Sequence, residues 1–125
     1  MATALVIEDN EDNLELIRFI LECAGYQVQH APTGLEGVRH ALTIPPDFIL
    51  LDIQLPDIEG TEVLRRIREK EAGKSVPIIA VTSYAMSGDR ENLIAAGCNG
   101  YIEKPIDPRT VIQQIREVLD GHPTA

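Results

Sequence analysis

The sequence predicts a doubly wound α/β domain of five strand–helix units, and three observations carry that prediction. Short continuous apolar runs recur along the chain at residues 4–7, 48–51 and 78–81, too short for helices and right for strands buried on both faces. Between them apolar residues return at helical spacing, closed by glycine or proline. The connections are short, with no linker, internal repeat or low-complexity tract. A strand joined through a helix to the next strand implies a parallel sheet with right-handed crossovers and helices on both faces.

Each element has a local reason. The first strand, residues 4–7, ends on Glu8-Asp9; Leu14, Ile17, Ile20, Leu21 and Ala24 then mark a helix that Gly25 stops. Residues 27–31 alternate weakly and suggest an edge strand. Thr33 with Glu36 three residues on is a capping-box signature opening a helix through Leu35, Val38, Ala41 and Leu42, which Pro45-Pro46 ends. The run Phe48-Ile49-Leu50-Leu51 ends on Asp52 and breaks at Leu55-Pro56. A helix over residues 60–72 carries Val63, Leu64 and Ile67. The fourth strand closes on Thr82-Ser83, and Ser87 is the expected cap of a helix with Asp89 and Glu91 in its first turn and Leu93 and Ile94 on its apolar side, up to Gly97. Gly100-Tyr101-Ile102 is a brief fifth strand before Glu103-Lys104-Pro105. Asp107 at N-cap with Pro108 at the first helical position predicts a last helix, with Val111, Ile112, Ile115, Val118 and Leu119 facing the core.

At 125 residues the chain makes one domain, 1–125, large enough for a proper core. A net charge of −9 argues against direct binding to nucleic acid or an anionic membrane and suits a basic protein partner or a divalent cation. Cys23 and Cys98 fall inside helical apolar patterns, which suggests buried free thiols in a reducing cytosol. The first residues lack a basic region and a long apolar run, so no signal peptide is expected, and no stretch approaches the length of a membrane-spanning helix.

The chemistry collects at strand ends. Glu8-Asp9, Asp52, Thr82 and Lys104 each follow a predicted strand directly, and in a parallel sheet those ends share one edge. Any one of them has an ordinary explanation as a helix cap or solvated loop residue; their coincidence does not. Three neighbouring carboxylates resist full ionisation without a cation among them, and a hard divalent ion such as Mg²⁺ suits such oxygen ligands. A lysine and a threonine beside them can meet phosphoryl oxygens, so the set suits phosphoryl transfer to the carboxylate of Asp52.

In this order and spacing, Glu8-Asp9, Asp52-Ile53-Gln54-Leu55-Pro56 with Gly60, Thr82-Ser83 and Lys104-Pro105 after Tyr101 resemble the CheY-like receiver domain of two-component response regulators. The resemblance spans residues 4–119 and is closest to stand-alone receivers of the CheY or DivK kind. It implies a flavodoxin-like (βα)5 sheet of strand order 2-1-3-4-5. It also implies that Asp52 accepts a phosphoryl group from a histidine kinase or histidine phosphotransfer protein. Asp9, Asp52 and the Gln54 backbone carbonyl would ligate Mg²⁺ (or Mn²⁺), with Glu8, an acid where many relatives carry Asp, acting through water. Lys104 would pair with the phosphoryl group, its bond to Pro105 would be cis, and Thr82 with Tyr101 would form the switch. Gln54 and Tyr84 would tune the phosphoryl lifetime, a bulky Tyr84 making self-dephosphorylation slow. The kinase-facing surface would lie near Leu14, Ile17 and Pro105-Ile106. A downstream protein would be met on the helix 4–strand 5–helix 5 face, including Ala85, Met86, Tyr101 and Ile106. The implied protein is cytoplasmic, a monomer or weak phosphorylation-dependent dimer, and not a conventional enzyme.

Three rivals stand beside this expectation. A haloacid-dehalogenase-like phosphatase also uses an Asp nucleophile with Mg²⁺, but it wants a second Asp two residues on, where this chain has Gln54. A pseudo-receiver would bind without being phosphorylated. The third is a receiver cut from a longer regulator or hybrid histidine kinase, against which Met1 favours a stand-alone chain. Gly73-Lys74-Ser75 echoes a phosphate-binding loop, but Arg68 holds the place of its earlier glycine. His30, His40 and His122 lack metal-ligand spacing, and no Ser or Cys nucleophile set is present.

Overall fold

The structure is a computed structural model, described over residues 2–83 and 87–121. Tyr84, Ala85, Met86 and the tail from 122 lie outside the described residues, as do the side chains of residues 87–90, among them the expected cap Ser87 and Asp89. The chain runs β1 (Thr3–Ile7), α1 (Glu11–Cys23), β2 (Gln27–Ala31), α2 (Gly34–Thr43), β3 (Phe48–Asp52), α3 (Gly60–Glu69), a 3₁₀ turn (Glu71–Gly73), β4 (Ile78–Thr82), α4 (Ser87–Ala96), β5 (Gly100–Glu103) and α5 (Val111–Leu119). The strands form one parallel sheet in the order β2-β1-β3-β4-β5.

Strand periodicity of two sorts the core into two layers. Leu5, Ile7, Ile49, Leu51, Ile78 and Ala80 face one layer, covered by Ala41 of α2, Val63, Leu64 and Ile67 of α3, and Leu93 of α4. Ala4, Val6, Phe48, Leu50, Ile79, Val81 and Ile102 face the other, covered by Leu14, Ile17, Ile20 and Leu21 of α1 and Val111, Ile115 and Val118 of α5. Every residue of β3 and β4 is buried, as continuous apolar runs require. The winding direction reverses between β1 and β3, which leaves a crevice beyond their carboxyl ends.

Local geometry departs from the sequence expectation at five places. α3 stops at Glu69, not at Ala72, because Lys70 turns extended and Gly73 tucks against the end of the helix, where a Cβ would stand 2.2 Å from the Ile67 carbonyl oxygen. α5 starts at Val111, three residues after Pro108: residues 107–110 form a turn in which Asp107 accepts the Arg109 amide at 2.9 Å and its carbonyl accepts from Thr110 and Val111. On α2, Leu35 is exposed, because Gly34 and Gly37 bring the helix close to Ile58 and Ile7 and leave no room for a larger residue on that side. Ile94 likewise points outward and Leu93 inward. Cys98 is buried as expected, but Cys23, on the last position of α1, is exposed.

Arg68 ties the elements at the amino-terminal edge of the sheet. Its guanidinium donates to the carbonyls of Gly73 (2.8 Å), Val76 (2.6 Å) and Gly97 (2.9 and 3.0 Å) and to Asn99 Oδ1 (2.8 Å), which in turn accepts the Ile78 amide. A planar fork with five N–H groups can satisfy several loop carbonyls at once, which a lysine cannot. Arg68→Met is expected to cost about 2–3 kcal/mol through the carbonyls left without a donor, and Arg68→Lys to recover less than half of that; urea unfolding of the three proteins checks both.

Candidate functional site

The crevice beyond β1 and β3 is where the acids meet. Glu8 continues the row of Ala4 and Val6, Asp52 that of Phe48 and Leu50, and Lys104 that of Ile102, so all three carry on the strand faces packed against α1 and α5. One oxygen from each of Glu8, Asp9 and Asp52 lies within 4.8 Å of the others. Glu8 is 2% and Asp52 5% exposed, whereas Asp9 stands in solvent. Lys104 Nζ is 3.1 Å from Asp52 Oδ1, and the Gln54 amide donates to the same oxygen at 3.0 Å.

The electrostatics of the site favour a cation. Both Glu8 carboxylate oxygens are buried, and among the described residues neither has a hydrogen-bond partner. Burial above all, and then the adjacent Asp52, push the Glu8 carboxyl up to about 8, against the smaller opposing pull of Asn13 and Lys104. Buried orphan oxygens and a three-carboxylate cluster are a donor set that fits a hard divalent ion.

The remaining predicted residues sit around this centre. Thr82 is buried at the end of β4, beside Glu103 in register. Tyr101 is buried in the layer under α2, α3 and α4, on the opposite face of the sheet from the direction of Ile102 and Lys104. The Lys104–Pro105 peptide is cis. Gln54 itself is exposed, and Tyr84 falls outside the described residues.

The sequence profile of the response regulator receiver domain matches residues 4–116. The chain belongs to that family. It is 40% identical over 117 residues to the polar-differentiation response regulator DivK of Brucella ovis, covering 94% of this chain and 95% of that one. Among solved structures, the receiver domain of a sensor histidine kinase from Pseudomonas aeruginosa PAO1, which holds a magnesium ion in its active-site cleft, is 37% identical with a TM-score of 0.87 over 95% of this receiver and 98% of that chain. A chemotaxis response regulator CheY4 of Vibrio cholerae superimposes with a TM-score of 0.90 at 27% identity, covering 94% and 98% of the two chains. The fold of this receiver, a five-stranded parallel sheet in the order 2-1-3-4-5, is the CheY-like fold. Among the described residues no helix is long and apolar enough to cross a membrane.

Three residues that shape the receiver's site carry no signal in the sequence. His30 on β2 donates from Nε2 to the Glu8 carbonyl at 2.8 Å, while the Glu8 amide donates to the Ala31 carbonyl, so the edge strand holds the Glu8 backbone from both sides. Asp57 accepts the Gly34 and Leu35 amides at 2.8 and 2.9 Å, tying the loop after Asp52 to the start of α2. Burial works against it, but those backbone amides prevail and keep the Asp57 carboxyl below its usual range. Asn13 faces Glu8 from α1. Each partner lies in another element, and only Asn13 sits near its partner in sequence.

A buried acid with a raised pKa favours the protonated native state, so the native protein binds more protons than the unfolded chain between the two values. In EDTA, stability is therefore expected to fall by an amount on the order of a few kcal/mol as pH rises from about 4.5 to about 8. Glu8→Gln is expected to flatten that fall, measured as urea midpoints at pH 5 and 8.

Proposed function

We propose that Asp52 is the phosphoacceptor of this receiver, taking a phosphoryl group from phosphohistidine on a histidine kinase or histidine phosphotransfer protein. The observation that carries the reading is the Lys104 ammonium 3.1 Å from the Asp52 carboxylate, inside a cluster of acids at the switch point of the sheet. An Asp52 oxygen attacks phosphorus, the N–P bond breaks, and the imidazole nitrogen keeps the electron pair and takes up a proton. Lys104 holds the phosphoryl charge once Asp52 has spent its own, and the Thr82 hydroxyl donates to a phosphoryl oxygen. Asp9, Asp52 and the Gln54 carbonyl would hold Mg²⁺, or Mn²⁺ in its place, with Glu8 acting through water. When bound, that ion neutralises the carboxylates and the phosphoryl oxygens together.

Thr82 and Tyr101 are the proposed switch, relayed to a protein target on the α4–β5–α5 face, in a cytoplasmic protein that is a monomer or a weak dimer when phosphorylated. Gln54 and Tyr84 set the lifetime of the phosphoryl group by governing access of water. The protein consumes one phosphoryl group per site and releases it by self-hydrolysis, so it does not turn over as a conventional enzyme.

Acetyl phosphate with Mg²⁺ is expected to add a single base-labile phosphate, absent in Asp52→Asn and in EDTA, as read by intact mass. Turnover of the donor with no phosphorylated protein accumulating would indicate a phosphatase, and no reaction a pseudo-receiver. Lys104→Ala is expected to slow the labelling by on the order of a hundredfold, the cost of removing one donor aimed at developing charge. Tyr84→Ala is expected to shorten the phosphoryl lifetime in a decay assay.

A further inference from the structure

The layer between the sheet and helices α1 and α5 does not close up beneath the acids. A cavity of about 360 Å³ opens beside Asp52 and Lys104. Away from those charges its walls, among the described residues, are mostly apolar: Leu16 and Ile17 of α1, Leu50 and Val81 of the sheet, and Pro105 and Ile106 after β5. Leu50 lies two residues before Asp52 on the same strand face, so the apolar floor begins directly below the reacting carboxylate. An apolar cavity of about 150 Å³ already accepts benzene, and the whole space, with its polar end at Glu8, Asn13, Asp52, Ser83 and Lys104, is more than twice that, room for a phosphoryl group and a six-membered ring together.

Any phosphodonor must place phosphorus at Asp52 and its leaving group nearby, which gives this cavity an occupant. We propose, building on the phosphoacceptor reading, that Asp52 takes phosphoryl groups from small acyl phosphates with an apolar acyl group in preference to acetyl phosphate, the acyl group lodging among Leu16, Ile17, Leu50, Val81 and Ile106. A second charge on the donor is excluded from those walls by the cost of desolvation. Ile17, Leu50 and Val81 are each at most 5% exposed, so a detached small molecule reaches them more readily than a ring tethered to a protein surface. In the step an Asp52 oxygen forms a bond to phosphorus, the P–O bond to the acyl group breaks, and the acyl group departs as its carboxylate with no proton transferred.

Benzoyl phosphate and acetyl phosphate present the same phosphoryl group, so the ratio of their rates cancels any general effect on Asp52. Second-order labelling rates at low donor concentration with Mg²⁺, each divided by the donor's uncatalysed hydrolysis rate, are expected to favour benzoyl phosphate by on the order of tenfold. Leu16→Asn is expected to reduce that ratio several-fold. Leu16 is 40% exposed, so the substitution leaves the core filled, and Ile44→Asn, on an exposed residue of the far side, should leave the ratio unchanged. A wild-type ratio near one, or a ratio untouched by Leu16→Asn, overturns the cavity proposal while labelling by acetyl phosphate keeps the acceptor reading. Failure of both donors overturns the acceptor reading as well. Benzoylphosphonate, which lacks the bridging oxygen and does not transfer, should shift the methyl resonances of Ile17, Leu50 and Val81 where acetylphosphonate does not; the absence of that difference also counts against the cavity.

Discussion

Two buried carboxylates, Glu8 and Asp52, side by side at the ends of adjacent strands, set the terms for the rest of this structure. A full set of hydrogen bonds does not compensate them: among the described residues the Glu8 carboxylate oxygens have no hydrogen-bond partner, and Asp52 shares one oxygen between the Lys104 ammonium and the Gln54 amide. Such an arrangement is costly in a low-dielectric crevice unless positive charge enters it. The surrounding chain is accordingly arranged to hold the acids in place. His30 and Ala31 fix the Glu8 backbone from β2, Asp57 anchors the loop after Asp52 to α2, and Gly60 packs so closely on Ile53 that a Cβ there would meet the Ile53 Cα at 2.7 Å.

The sheet divides labour between its faces. Glu8, Asp52 and Lys104 extend the rows that face α1 and α5, where the cavity lies, whereas Tyr101 belongs to the rows that face α2, α3 and α4. Thr82 extends the row of Ile78 and Ala80, the Tyr101 side, yet ends at the same edge as Asp52. The two-residue alternation of β4 thus puts Thr82 on the Tyr101 side of the sheet while its strand position leaves it at the edge where the acids gather.

Much of this was legible in the sequence because buried parallel strands announce themselves as unbroken apolar runs, and the residue after each run must lie at the common edge. Asp52 after Phe48-Ile49-Leu50-Leu51 is the clearest instance. Element boundaries were less legible wherever a long-range contact decided them. α3 is cut short by the close approach of Gly73 to Ile67, and α5 is delayed by the turn that Asp107 builds, although Asp107-Pro108 has the local form of a helix start. Leu35 and Ile94 fit helical spacing but face solvent, since glycines on α2 let that helix sink on a different side and Leu93 takes the inward position on α4. The roles of His30, Asp57 and Arg68 rest on partners in other elements, which no local pattern encodes.

The Arg68 guanidinium has one further mechanical meaning. It grips the Gly97 carbonyl at the carboxyl end of α4, where Gly97 itself takes a φ of 117° and reverses the chain. A helix of ten residues is a rod of about 15 Å. Fastened at that end, a rod of this length would turn a rotation of a few degrees at Gly97 into a displacement of about 1 Å at its opposite tip. The leverage of the domain is thus set at the edge of the sheet farthest from its acids.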